Sequence, residues 1–92
     1  MLHVSFYFAD GKSKNEALKK IFDRAIDWYR YTPTCWFLWT SSSAEQWYEK
    51  IRPLMADADS FFIVGIDLTE RQGWLSKNVW DWLNEDRDKP SK

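Results

Sequence analysis

Between Thr34 and Thr40 the chain reads Thr-Cys-Trp-Phe-Leu-Trp-Thr, with large apolar side chains at every position from Trp36 to Trp39. Successive residues of a strand point to opposite sides of its sheet, so a strand built from this run presents bulk to both faces. A helix layer covers one face. The cover for the other face is then the main functional clue. The chain has 92 residues, enough for one hydrophobic core and not for two.

Composition narrows the function classes. The chain carries seven Trp, six Phe and four Tyr. Trp combines a large apolar body with one N–H donor and favours cores and interfaces. Most of these rings fill a thin core, but there are more than such a core easily hides. Thirteen Lys and Arg oppose fourteen Asp and Glu, a net charge of −1. A nucleic-acid binder usually shows a positive excess, because phosphate neutralisation supplies much of its affinity. The basic clusters are Lys12, Lys14, Lys19 and Lys20, with Lys89 and Lys92 in the tail. A single cysteine, Cys35, permits no internal disulfide and fits a reducing compartment. One Cys and one His give no ordinary metal-ligand cluster. The N-terminus has no signal-peptide pattern, and no apolar run is long enough to span a bilayer, so the expectation is a cytoplasmic protein without a membrane partner.

Residues 2–8 alternate and read as a first strand, with Leu2, Val4, Phe6 and Phe8 on one side and His3, Ser5 and Tyr7 on the other. Asp10-Gly11 is a turn signal, and Ser13 or Asn15 can cap a helix whose buried stripe is Leu18, Ile21, Phe22, Ala25 and Ile26. Trp28 to Tyr31 reads as a short second strand, joined through Thr32-Pro33 to a third from Thr34 to Thr40. An alternative runs the first helix on through Tyr31; aromatic content and alternation favour the hairpin. Ser43 and Gln46 form a capping box for a second helix with the stripe Ala44, Trp47, Tyr48, Ile51, Leu54 and Met55, loosened late by Pro53. Ser60 to Leu68 is a nearly continuous apolar strand in which Gly65 suggests a bulge or a close approach. Val79, Trp80, Trp82 and Leu83 suggest a short closing helix capped by Ser76. Residues 1–84 thus form one domain, and 85–92 a charged tail.

The order β-α-β-β-α-β plus a terminal helix predicts an α+β, ferredoxin-like fold, a four-stranded antiparallel sheet with two helices on one face. With Trp36 and Leu38 toward the helices, Cys35, Phe37 and Trp39 face outward beside Tyr7. Tyr7, Phe37 and Trp39 are therefore the expected interface anchors on an open sheet face.

The run Thr34 to Thr40, Ser43-Ala44-Glu45 opening a helix, Ile51-Arg52-Pro53-Leu54, Asp59 before strand four, Gly73-Trp74 and the closing Trp82-Leu83 resemble the small SinR-like proteins (distinct from the helix-turn-helix regulator of the same name). These are related in fold to the CRISPR-associated adaptation nucleases, whose ferredoxin-like subunits dimerise. The resemblance runs from Leu2 to Leu83. It implies, for the nuclease relatives, a metal-binding Asp at the end of strand one. Here that position is Tyr7, which cannot replace a carboxylate on a hard cation.

Two functions follow. The first is a non-catalytic interaction module that pairs through its sheet face or an edge strand, as a homodimer or on another protein; a phage- or mobile-element-encoded inhibitor of a host machine is one such module. It needs no cofactor. The second is a Mg²⁺-dependent nuclease or single-strand nucleic-acid binder, with Asp10, Asp59 and Asp67 as metal ligands and Lys12 and Lys14 on phosphate. The charge balance and Tyr7 place it second. His3 and Cys35 lack neighbours that would make a catalytic base or a reactive thiol.

Overall fold

Pro33 cannot donate a ladder hydrogen bond, and the chain reverses around it between two antiparallel strands. The hairpin reading therefore holds against a helix extended through Tyr31. In the computed structural model, which describes residues 1–85, the order is β1 (Leu2–Tyr7), α1 (Asn15–Phe22), β2 (Asp27–Thr32), β3 (Cys35–Trp39), α2 (Ala44–Ile51), a 3-10 turn (Arg52–Leu54), β4 (Ser60–Gly65) and α3 (Lys77–Asn84). Except for Glu85, the expected charged tail lies outside the described residues.

The strands form one antiparallel sheet in the order β2-β3-β1-β4. The chain is thus α+β, with a four-stranded antiparallel sheet and three helices. Alternation sorts the side chains as expected. Val4, Phe6, Trp36 and Leu38 turn toward α1 and α2 and meet Leu18, Phe22, Trp47, Ile51 and Met55 in the main core. Phe22 is central to this layer: its ring centroid lies 4.9 Å from Trp36 and 5.9 Å from Trp47.

Local signals explain the element ends. Gly11 adopts φ 72°, the left-handed conformation that glycine enters without a Cβ clash, and its N–H bonds back to Phe8. The Ser43 hydroxyl accepts from Gln46 N–H while the Gln46 side chain accepts from Ser43 N–H, completing the capping box. α1 begins differently from expectation: Lys14 is its N-cap without a side-chain bond, and the Ser13 hydroxyl accepts from Asn15 N–H. Ser76 caps α3 by backbone conformation alone, with no side-chain bond. Pro53 sits in the 3-10 turn. β4 stops at Gly65, short of Leu68, and Gly65 makes no bulge: the β1–β4 register runs unbroken from Tyr7↔Ser60 to Leu2↔Gly65. The irregularity falls between Arg30 and Thr32, in the β2–β3 pair.

The main correction concerns the second sheet face, expected to be open. α3 packs on it. Phe37, Val79, Trp82 and Leu83 are buried together there, with Tyr29, Tyr31, Trp39 and Leu75 packed around them. Trp82 lies against Tyr29 at 5.8 Å and Phe37 at 6.2 Å between ring centroids. The terminal helix therefore shields the β2–β3 half of that face.

Candidate interaction surface

The half of the second face that α3 does not reach belongs to β1 and β4. Ser5 and Tyr7 lie there beside Ser60, Phe62 and Val64, because Ser5↔Phe62, Tyr7↔Ser60 and His3↔Val64 are cross-strand partners. Tyr7 is 62% exposed, Phe62 64% and Val64 36%. On the other face, Tyr48 of α2 stacks on Phe61 with centroids 5.4 Å apart and is itself 49% exposed. A shallow cleft between α2 and β4, lined by Ala44, Glu45, Tyr48 and Phe61 to Ile63, opens beside it. Apolar surface thus flanks β4 on both sides.

β4 is also an edge strand. Its hydrogen-bonding phase follows from the ladder. Ile66 N–H donates to the Met1 carbonyl at 3.0 Å, which makes this a hydrogen-bonded pair. Counting in twos along an antiparallel ladder, Ser60, Phe62 and Val64 exchange bonds with β1. Phe61, Ile63 and Gly65 then direct their N–H and C=O groups away from the sheet. On the far side of β1, Phe6 N–H donates to the Thr34 carbonyl, in phase with this assignment. β4 contains no charged residue and no proline. The opposite edge, β2, carries Asp27 and Arg30, ends next to Pro33 and has the register irregularity. These are the usual guards against edge pairing, and β4 has none of them.

The three expected anchors separate. Tyr7 is exposed at the end of β1. Phe37 is buried beneath α3 at 7% exposure, and Trp39 is half-buried in the same cluster. Trp39 lies near the start of β1 and Tyr7 at its end, so no single patch joins them. Sequence reasoning missed Phe62 and Val64. Their signal was present in an uncharged strand, but a continuous apolar run reads as a buried strand. Trp74 is a further exposed ring, at 99%.

The acidic positions serve the loops. The Asp59 carboxylate accepts from Ala9 N–H at 2.9 Å, Ala56 N–H at 2.8 Å and Lys14 Nζ at 2.7 Å, joining the exit of β1, the start of α1 and the approach to β4. The Lys14 ammonium and the two backbone donors hold its carboxyl well below the usual range, at about 2. The Asp10 side chain accepts from Lys12 N–H. Asp67 accepts from Thr69 N–H, which lowers its pKa, and lies beyond the far end of β4 from Asp59. Asp59 thus bonds to Ala9, the residue before Asp10, while Asp10 turns its carboxylate to Lys12 and Asp67 lies at the other end of β4. Among the described residues no group of three or more His, Cys, Asp and Glu side chains gathers at a metal-binding distance. Lys14 faces Asp59, and Lys12 is exposed.

His3 packs beside the stacked Tyr31 and Phe37 rings and shares a hydrogen bond with the Tyr31 hydroxyl through Nε2. Burial lowers its pKa. No described helix is long and apolar enough to cross a membrane. Comparison with family models, with curated proteins and with solved structures finds no match.

Proposed function

We propose that the chain is a non-catalytic protein-interaction module that pairs through the free edge of β4 and the apolar strip beside it. The observation that carries this reading is the contrast between the two sheet edges. β2 is charged and irregular; β4 offers outward peptide groups at Phe61, Ile63 and Gly65 with exposed Phe62, Val64 and Tyr7 alongside. Main-chain bonds to an added strand supply affinity, and side chains on alternate positions supply selectivity.

The fold reading that accompanies this is ferredoxin-like. Its support is the strand order β2-β3-β1-β4 with α1 and α2 against one face. Likeness to the SinR-like proteins rests on the spacing from the Thr34–Thr40 run to Trp82-Leu83, and Tyr7 in place of a carboxylate agrees with a module that does no metal chemistry. The lone Cys35 suits work in a reducing, cytoplasmic compartment.

A photo-crosslinking residue placed at Phe62 in cells expressing the full chain tests the reading. The expected result is a discrete covalent protein adduct at position 62 and none when the same residue replaces Glu16, which is exposed on α1. No adduct at position 62, or equal labelling from both positions, overturns it.

A further inference from the structure

Resting on the reading of β4 as a pairing edge, we infer that its partner is a second copy of the same chain, joined β4 to β4 in antiparallel fashion about a two-fold axis at Ile63. The outward peptide groups of Phe61, Ile63 and Gly65 limit the registers open to such a pair. Centring on Ile63 opposes Ile63 to itself and Phe61 to Gly65 of the partner, twice, and engages all three outward residues of each strand. Centring on Phe62 or Val64 engages only two from each.

Size complementarity favours the same register. Gly65 is not required by its own subunit: its φ is not positive, and a Cβ there meets only Leu2 at an ordinary 3.9 Å. In the pair, the missing side chain lies opposite the partner's Phe61. An aromatic ring across from a strand glycine covers the backbone that glycine leaves bare. On the second face, Phe62 falls opposite the partner's Val64, a favourable aromatic–β-branched pair. β4 brings no charge to be stranded at the seam. An isologous interface needs a surface complementary to itself, and this strand meets that condition.

The apolar area is small for a dimer seam. The exposed parts of Tyr7, Phe62, Val64 and Tyr48 amount to on the order of 400 Å² per subunit. That is about half of a standard partner's share, before the strand backbone is added. The dimer is expected to dissociate in the micromolar range.

Sedimentation with charge complementation is the test. Wild type should show a concentration-dependent dimer. Phe62→Lys/Val64→Lys and Phe62→Glu/Val64→Glu change exposed positions and should each be folded monomers by circular dichroism, because like charges then face each other across the seam. Mixing the two variants should restore association, since residue 62 of one chain faces residue 64 of the other. A monomeric wild type at high micromolar concentration, a dimer retained by either charged variant, or a mixture no more associated than its components overturns the inference. A monomeric wild type whose position-62 adduct carries a different protein, rather than a second 11.1 kDa chain, leaves the interaction module standing and removes only self-pairing.

Discussion

Trp82 Nε1 donates to the Asp27 carboxylate at 2.9 Å, fastening α3 to the edge strand β2 across the second face of the sheet. The contact joins residues 55 positions apart in the chain. It anchors the helix that buries Phe37.

Replacing Trp82 separates the bond from the ring. Trp82→Phe keeps an aromatic ring near Tyr29 and Phe37 but removes the donor, and should cost about 1.5–3 kcal/mol because the acceptor is charged. Trp82→Ala removes the ring as well and should cost about 3–5 kcal/mol. Urea unfolding followed by far-ultraviolet circular dichroism measures both. A Phe variant as stable as wild type shows that ring packing alone holds α3.

Phe37 and Tyr7, both expected from sequence to face solvent, should behave oppositely. Phe37→Ala opens a cavity under α3 and should destabilise by about 3–5 kcal/mol. Tyr7→Ala alters an exposed side chain and should stay within about 0.5 kcal/mol of wild type. Equal effects in thermal or urea unfolding contradict the placement of α3.

Asp59 gives stability an acid dependence. Its carboxyl lies at about 2 in the folded chain against an ordinary 3.8. A depressed folded value contributes stability that is complete above the ordinary value and is lost as pH falls from about 4 through about 2. Asp59→Asn should lower stability at neutral pH and flatten the pH dependence in that window. An unchanged acid limb in the variant argues against this role for the three-way junction.

His3 acts in the same direction at higher pH. Burial lowers its pKa below 6.5, so its contribution is complete above 6.5 and is lost as pH falls through the lowered folded value. The chain has one histidine, so its ring resonances can be followed by nuclear magnetic resonance without ambiguity. A midpoint at or above 6.5 contradicts the half-buried position beside the Tyr31 and Phe37 rings.

Local physics made much of this fold legible. Alternation in Leu2–Tyr7 and Cys35–Trp39 assigned side chains to the correct faces, and Ser43 with Gln46 marked the start of α2 by a device that needs only adjacent turns. What escaped depends on long-range packing. α3 shows an apolar stripe, but nothing local to Val79 or Trp82 says that the stripe lies on the β2–β3 face. The burial of Phe37 escaped for the same reason: Phe37 points outward as expected, and a helix distant in sequence covers it, whereas Tyr7 is exposed as expected. The uncharged run Phe61–Gly65 was visible, yet its exposure depends on its place at a sheet edge, a property of topology rather than of composition.

The position of β1 also bears on synthesis. The strand made first of the four lies between β3 and β4, and neither is its neighbour in sequence. One flank waits for β3 and the other for β4, so β1 has no finished sheet around it until Gly65 is free to pair. With β3 free to pair and β4 not yet so, β1 has one side unzipped, which makes that window the one in which a chaperone has most to shield.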